Sequence, residues 1–584
     1  MRPIDAADRE TDHTAQTERS DQTSQAGVSR RAFLGAGATI LGGTLAASAP
    51  VPAAAALQGA PENRALAPAD LDRIEHRDVT HVEQRVPDPH SDSERVVNGV
   101  EDLGLDPTAQ DNAQGAIQRA AARGDVVELP PGDYMLNSTV TTQSSGWGIV
   151  GTGEQPEDVR LHGRGALQLI EQRGGSDVRL ENFAMVNGTD GEVATDLHDG
   201  RGGPRGVGLK LLVEDGLLVR DVHHIGVSPR EGNDGNHEDF DHQKASLTIQ
   251  ITDPDGVGLV QRFQKTSPTE VSGHAENDAV FNSWQQHRGT CYVQDSLINN
   301  AGGDGATYVA RSPGNWRFVR CAFQNNYANT LRLAGAGSWA KSCTILCDSD
   351  ADDVNNLLFP DVAPMNPIVW ESGSSRVAPG GQSGGLVIGC RIIMRSVPRS
   401  AGAISVDGSH GGVAIVDTEI INDTDQPCIA AGTADGSFMN NHQRPDLPHA
   451  LYLEGLQLTG SGSGAAILIN GRPQTTGQQV CVQHPGAVTG LPDAALGCTG
   501  SDGGDPGSAA PELFPRLVTD PDATTGTGPA PDVPGVGGGL TGALAAAHRY
   551  MTMVIVVVIA GLLAAALASI ATAWLVWEAL SPDW

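Results

Sequence analysis

Between about Val97 and Ala495 the chain repeats a short pattern: apolar, any residue, small or Asx, any, any, and usually apolar again. It appears as Leu-Glu-Asn-Phe-Ala-Met from Leu180, Val-Arg-Asp-Val-His-His from Val219 and Val-Gln-Asp-Ser-Leu-Ile from Val293. Further copies begin at Val319, Ala340, Val387, Ile415 and Leu453, and the third position is Asn182, Asp221, Asp295, Cys321, Ser342, Gly389, Asp417 and Gly455 in turn. Strands this short cannot bury a face alone, but stacked as rungs of a solenoid they can. The doublets Asn299-Asn300 and Asn325-Asn326 follow their strands at matching places, as stacked turn residues would. The pattern predicts an all-β solenoid over residues 97–499.

The apolar positions at the two ends follow a different rule. Ser29-Arg30-Arg31-Ala32-Phe33-Leu34 precedes an uncharged Gly/Ala-rich stretch to Ala56. That order of parts predicts a twin-arginine export signal, with Arg30 and Arg31 read by the export machinery. Cleavage follows Ala49 or falls within Ala53–Ala56. From Met551 to Trp577 there is no charge, and the run exceeds the roughly 20 residues that cross a bilayer. The expected organisation is a disordered n-region and signal (1–56), an N-terminal extension (57–96), the ectodomain (97–499), a Gly/Pro-rich stalk (500–545), a transmembrane helix (546–577) and a short cytoplasmic tail (578–584). The implied location is the cell membrane, single-pass, with the ectodomain outside.

Charge narrows the partners. The 584 residues carry a formal net charge of −32, which repels phosphate backbones and argues against nucleic acid. Asp outnumbers Glu and Arg far outnumbers Lys, a balance that suits a surface hydrated in high salt. Glycine at 73 and proline at 35, with aromatics at only 4%, favour turns and strands over helical bundles.

The start of the repeat region carries a family likeness. The segment from Asp111 to Gly124 reads as a short amphipathic helix. It leads into Asp125-Val-Val-Glu-Leu-Pro-Pro-Gly-Asp-Tyr134, then Gly148-Ile-Val-Gly-Thr-Gly153. This resembles the opening of pectate-lyase-like superfamily proteins, and with the twin-arginine signal the whole chain resembles a haloarchaeal-type surface protein. The resemblance implies a right-handed parallel β-helix capped by that helix. It does not extend to catalytic motifs, so fold transfers and activity does not.

Candidate chemistry lies in two places. The run from Arg230 to His242 holds five carboxylates and two histidines. Asp234, Glu238 and Asp239 are candidate Ca²⁺ ligands. Asp239 and Asp241, with His237 and His242, are candidate acid–base groups; the alternative is a hydrated acidic loop. His287, Arg288 and Asp304 form the second set, in which Arg288 would neutralise a substrate carboxylate. A lone His-Arg in a turn is otherwise structural. The function expected is a polysaccharide lyase or glycoside hydrolase acting on an acidic polysaccharide. The alternative is a non-catalytic module that binds glycan or protein, or builds the envelope. Cys481 and Cys498 are expected to pair across a loop at the last rungs, and Asn137, Asn187 and Asn422 begin glycosylation sequons.

Overall fold

The computed structural model describes residues 95–163, 168–186, 208–226, 245–267, 279–302, 304–351, 364–372, 382–436 and 444–498. The chain divides into two units, Met1–Gly504 and Asp505–Trp584, and the second lies wholly outside the described residues. So do the export signal with Arg30 and Arg31, the stretch 546–577, Asn187, and the acidic run with Asp234, His237, Glu238, Asp239, Asp241 and His242. Among the described residues no helix is long and apolar enough to cross a membrane.

The first unit is a parallel β-helix. One sheet has 12 strands and the other 24, and every strand pairing is parallel. A single rung shows the construction. Strand Asn315–Val319 ends at Arg320, the chain bends, strand Ala322–Gln324 follows, and strand Ala328–Leu333 crosses to the 12-stranded sheet before Trp339–Lys341 begins the next rung. Inward positions stack residue on residue along the axis: Phe318, Phe323 and Leu331 in this rung are all fully buried. The six-residue repeat is the bend between the two strands of the larger sheet.

At that bend one residue per rung adopts left-handed backbone. Asn182, Asp221, Asp295, Ser342, Gly389, Asp417 and Gly455 all have φ between 45° and 61°. Asx residues and glycine tolerate this region best, which is why the third position of the motif is small or Asx. One rung departs from the sequence alignment: Arg320, not Cys321, takes the bend, with φ 50°. The alignment there fails because Phe318, not Val319, points inward. A further rung bends at Arg262, between Asp221 and Asp295, where no turn-type residue marks it. Both arginines are held by the rung before. Arg262 forks onto Asp221 with two bonds of 2.5 Å, and Arg320 forks onto Asp295 at 2.7 and 2.9 Å.

Helix Gln114–Ala122 lies at the first rungs and buries Ile117, Ala120 and Ala121. It starts later than the amphipathic pattern suggests, because Asp111 and Asn112 belong to strand Thr108–Asn112. The Asn112 carboxamide oxygen accepts from the backbone of both Gln114 and Asn137, tying the helix start to the end of strand Gly132–Leu136. In the Leu-Pro-Pro-Gly-Asp-Tyr step Tyr134 is fully buried and donates its hydroxyl to the Pro130 carbonyl at 2.7 Å. At the other end a disulfide joins Cys481 to Cys498, and Val480 bridges to Leu496.

Candidate functional site

The two sequence-derived candidates that can be placed as a pair, His287 and Arg288, do not make a reactive couple. His287 is fully buried, its Nδ1 accepts from the Ile251 N–H at 3.0 Å, and its Nε2 lies 3.2 Å from the Asn315 carbonyl oxygen. Burial drives its pKa down to about 4, and both ring nitrogens are engaged within the turn. Arg288 is exposed, and its backbone N–H donates to the Ile251 carbonyl. Asn422 begins the third sequon. It is 0% exposed, donates to the Gln426 carbonyl and accepts from Thr424. Asn137 is exposed.

Asp304 belongs to a different and larger group. It is buried just before strand Gly305–Tyr308 of the 12-stranded sheet, and its charge acts on Arg311 and Tyr327. Along this sheet inward positions are mostly apolar, as with Leu247 and Phe281 on register and then Leu331, Ile368 and Ile404, with Thr307 as the partner of Phe281. The alternate positions carry the polar groups. One such row runs Glu171, Lys210, Thr248, Asn282 and Tyr308, with Arg332 on the rung after Tyr308.

Tyr308 is the centre of the group. The guanidinium carbons of Arg311 and Arg332 each lie 4.3 Å from its ring centroid. Arg311 also lies 5.6 Å from the ring of Trp284, and Trp284 meets Tyr308 edge-on at 6.5 Å. Guanidinium groups over aromatic rings gain from the ring quadrupole, more so when desolvated. Arg332 reaches on to Glu371, both its Nε and Nη2 lying 2.5 Å from Oε1.

Glu371 and Asp407 are neighbours on adjacent rungs. Each follows the last residue of its strand, Trp370 and Val406, and those two are register partners. The Asp407 N–H donates to the Trp370 carbonyl at 2.9 Å. Burial raises the pKa of Glu371, Arg332 opposes that, and the charge of Asp407 raises it further. Burial likewise raises Asp407, against the bonds it accepts from Ser409 and the charge of Arg472. Two buried carboxyls on adjacent rungs, both with raised pKa and one of them paired to Arg332, can divide acid and base roles between them.

The chain after Asp407 is fixed from below. Arg472 is 4% exposed and donates to the carbonyls of Asp407, His410, Gly411, Gly432 and His449 at 2.7–3.0 Å. His410, also buried, lies against Trp370 and reaches the Ala334 carbonyl at 2.9 Å. Of this group sequence reading singles out Asp304 and passes over Trp284, Tyr308, Arg311, Arg332, Glu371 and Asp407. The usable signal was a charged residue inside or just after an apolar strand, as in Leu331-Arg332-Leu333 and Val369-Trp370-Glu371. Among the described residues no cluster of His, Cys, Asp and Glu is arranged to hold a metal ion.

No protein-family model matches the chain, and no curated protein matches it significantly. Among solved structures it is similar to the catalytic unit of a GH87 alpha-1,3-glucanase from Streptomyces thermodiastaticus, with 17% identity and a TM-score of 0.39 over 71% of this chain and 69% of that one. It is similar to the A-module of the Azotobacter vinelandii mannuronan C-5 epimerase AlgE4, with 13% identity and a TM-score of 0.37 over 69% of this chain and 98% of that one. It is also similar to PfbA, a surface adhesin of Streptococcus pneumoniae, with 10% identity and a TM-score of 0.36 over 64% of this chain and 92% of that one.

Proposed function

We propose that this chain is an exported, membrane-anchored cell-surface protein of the pectate-lyase-like superfamily that processes an acidic polysaccharide on the 12-stranded sheet of its β-helix. The observation that carries the reading is the buried pair Glu371 and Asp407 on register-adjacent rungs, with Glu371 paired to Arg332 and within the field of Arg311. Trp284, half-buried at the edge of the group, offers a face for a sugar ring. Arg311 takes the substrate's carboxylate, and its remaining exposure leaves it able to do so. The protonated carboxyl donates to the glycosidic oxygen and the ionised one removes a proton, from water in a hydrolase or from sugar carbon in a lyase. Asp304 helps hold Arg311 charged against the repulsion of Arg332.

The test is turnover of uronate-containing polysaccharides by the purified chain in molar salt. New reducing ends mark hydrolysis, and new ends that also carry a carbon–carbon double bond mark elimination. Glu371→Gln and Asp407→Asn should each lower the rate at least 100-fold while polysaccharide binding persists. A second reading, a non-catalytic glycan-binding module, draws on the near-complete burial of Glu371 (3% exposed) and its grip on Arg332. It stands if the chain binds polysaccharide, turns none over, and loses binding on Arg311→Ala.

The location is supported by the apolar run Met551–Trp577 and by Arg30-Arg31. Removing residues 546–584 should release the protein into the medium, as measured by fractionation. Retention of the truncated chain in the membrane fraction would sink the anchor.

A further inference from the structure

A column of donor side chains runs along the solenoid one residue after the bend. Ser296, Cys321, Cys343, Cys390 and Thr418 occupy successive rungs in register, as the pairings Leu297 with Ala322, Ala322 with Thr344, Thr344 with Arg391 and Arg391 with Glu419 show. Each donates to the carbonyl two residues back: Gln294, Val319, Lys341, Ile388 and Val416. All five are buried, and the three cysteines are free thiols in the structure. A hydroxyl does this job at both ends of the column, so the donor role does not by itself require cysteine in the middle.

Three thiols on adjacent rungs bring a second chemistry within reach. In-register neighbours of a parallel ladder are about 4.8 Å apart, inside the roughly 4.4–6.8 Å Cα window of a disulfide. The flanking backbone bonds hold this spacing: Thr344 N–H donates to Cys321 O at 3.0 Å and Arg391 N–H to Cys343 O at 2.9 Å. The side chains choose between the two possible pairs. Cys321 Sγ also lies 3.3 Å from the Val293 carbonyl on the preceding rung, so its thiol is divided between that carbonyl and Cys343. Cys390 Sγ also lies 3.4 Å from the Ala340 carbonyl, on the rung of Cys343, so it leans towards that residue. Cys390 follows Gly389, whereas Cys321 follows Arg320, which is forked onto Asp295.

We propose that Cys343 and Cys390 form a disulfide in the exported protein, leaving Cys321 reduced. The oxidant is an external disulfide, met during folding before the core closes. The Cys390 thiolate attacks it to give a mixed disulfide and expel one thiolate. The Cys343 thiolate then displaces the second, so the protein gives up two electrons and two protons and the external disulfide becomes two thiols. The link encloses the segment that carries strand Met365–Trp370 and Glu371. It therefore closes a covalent ring around one wall of the candidate site.

The experiment refolds the full chain from denaturant in molar salt with oxidised glutathione, quenches with acid, alkylates under denaturing conditions without reductant and maps peptides by mass spectrometry. The expected result is a linked Cys343–Cys390 peptide, with Cys321 alkylated. Alkylation of both Cys343 and Cys390, or a Cys321–Cys343 link, overturns the proposal. Cys343→Ser keeps the donor found at Ser296, so it is expected to fold and to leave Cys390 alkylated. A wild-type chain that unfolds at lower denaturant after reduction, by a margin no greater than that of C343S, also overturns it, because the margin would then belong to Cys481–Cys498 alone.

Discussion

At the scale of single residues, burial decides what a titratable group can do. His287 and His410 have both been pushed down to about 4 by burial, from the ordinary 6.5. A histidine with a depressed folded value stabilises the protein fully above the unfolded pKa, and that contribution is lost as pH falls through the folded one. Acid should therefore erode stability between pH 6.5 and about 4. His287→Asn removes the titration while keeping an acceptor for the Ile251 N–H, so its stability should fall less steeply across that window. Denaturant melts at several pH values check it; an unchanged slope would show that His287 is not the group responsible. The same burial explains what sequence could not reveal. His287 and Asp304 are both polar residues near turns in one dimension, yet one is sealed between the Ile251 N–H and the Asn315 carbonyl and the other acts on Arg311 and Tyr327. Tyr308 and Glu371 come together only because the solenoid returns the chain to the same sheet, a separation no local motif records.

At the scale of elements, the bend was legible and the sheets that carry the site were less so. The strand–bend–strand unit has a local signature because left-handed backbone selects residue type, whereas each strand of the 12-stranded sheet is a bare apolar alternation. Where an ion pair replaces residue preference, as at Arg262, the signature disappears. This selection can be measured at Gly389, with φ 59° and its nearest foreign atom, Ser342 Oγ, 3.6 Å from an added Cβ. Gly389→Ala meets no clash, so its cost is the left-handed conformation alone, about 1 kcal/mol. Gly389→Asn should cost less, since asparagine holds the equivalent bend at Asn182. Urea melts of the two variants test the order; a clash-sized loss for both would refute it.

At the scale of the whole molecule, 70 acidic residues against 38 basic ones make stability a function of ionic strength. Like charges on one surface repel until counter-ions screen them. The melting temperature should rise from low to molar salt, and equal values at both would count against the high-salt reading of the composition. Some carboxylates are nonetheless spent locally, and the bend column shows where: Asp221, Arg262, Asp295 and Arg320 alternate in sign from rung to rung. A solenoid of near-identical coils has little to stop a strand from docking one coil too far along the axis. Here a docking that skipped one coil would set Asp221 against Asp295, or Arg262 against Arg320. The alternation thus works as a parity check on assembly, and coils in this stretch can be gained or lost only in pairs without bringing like charges face to face.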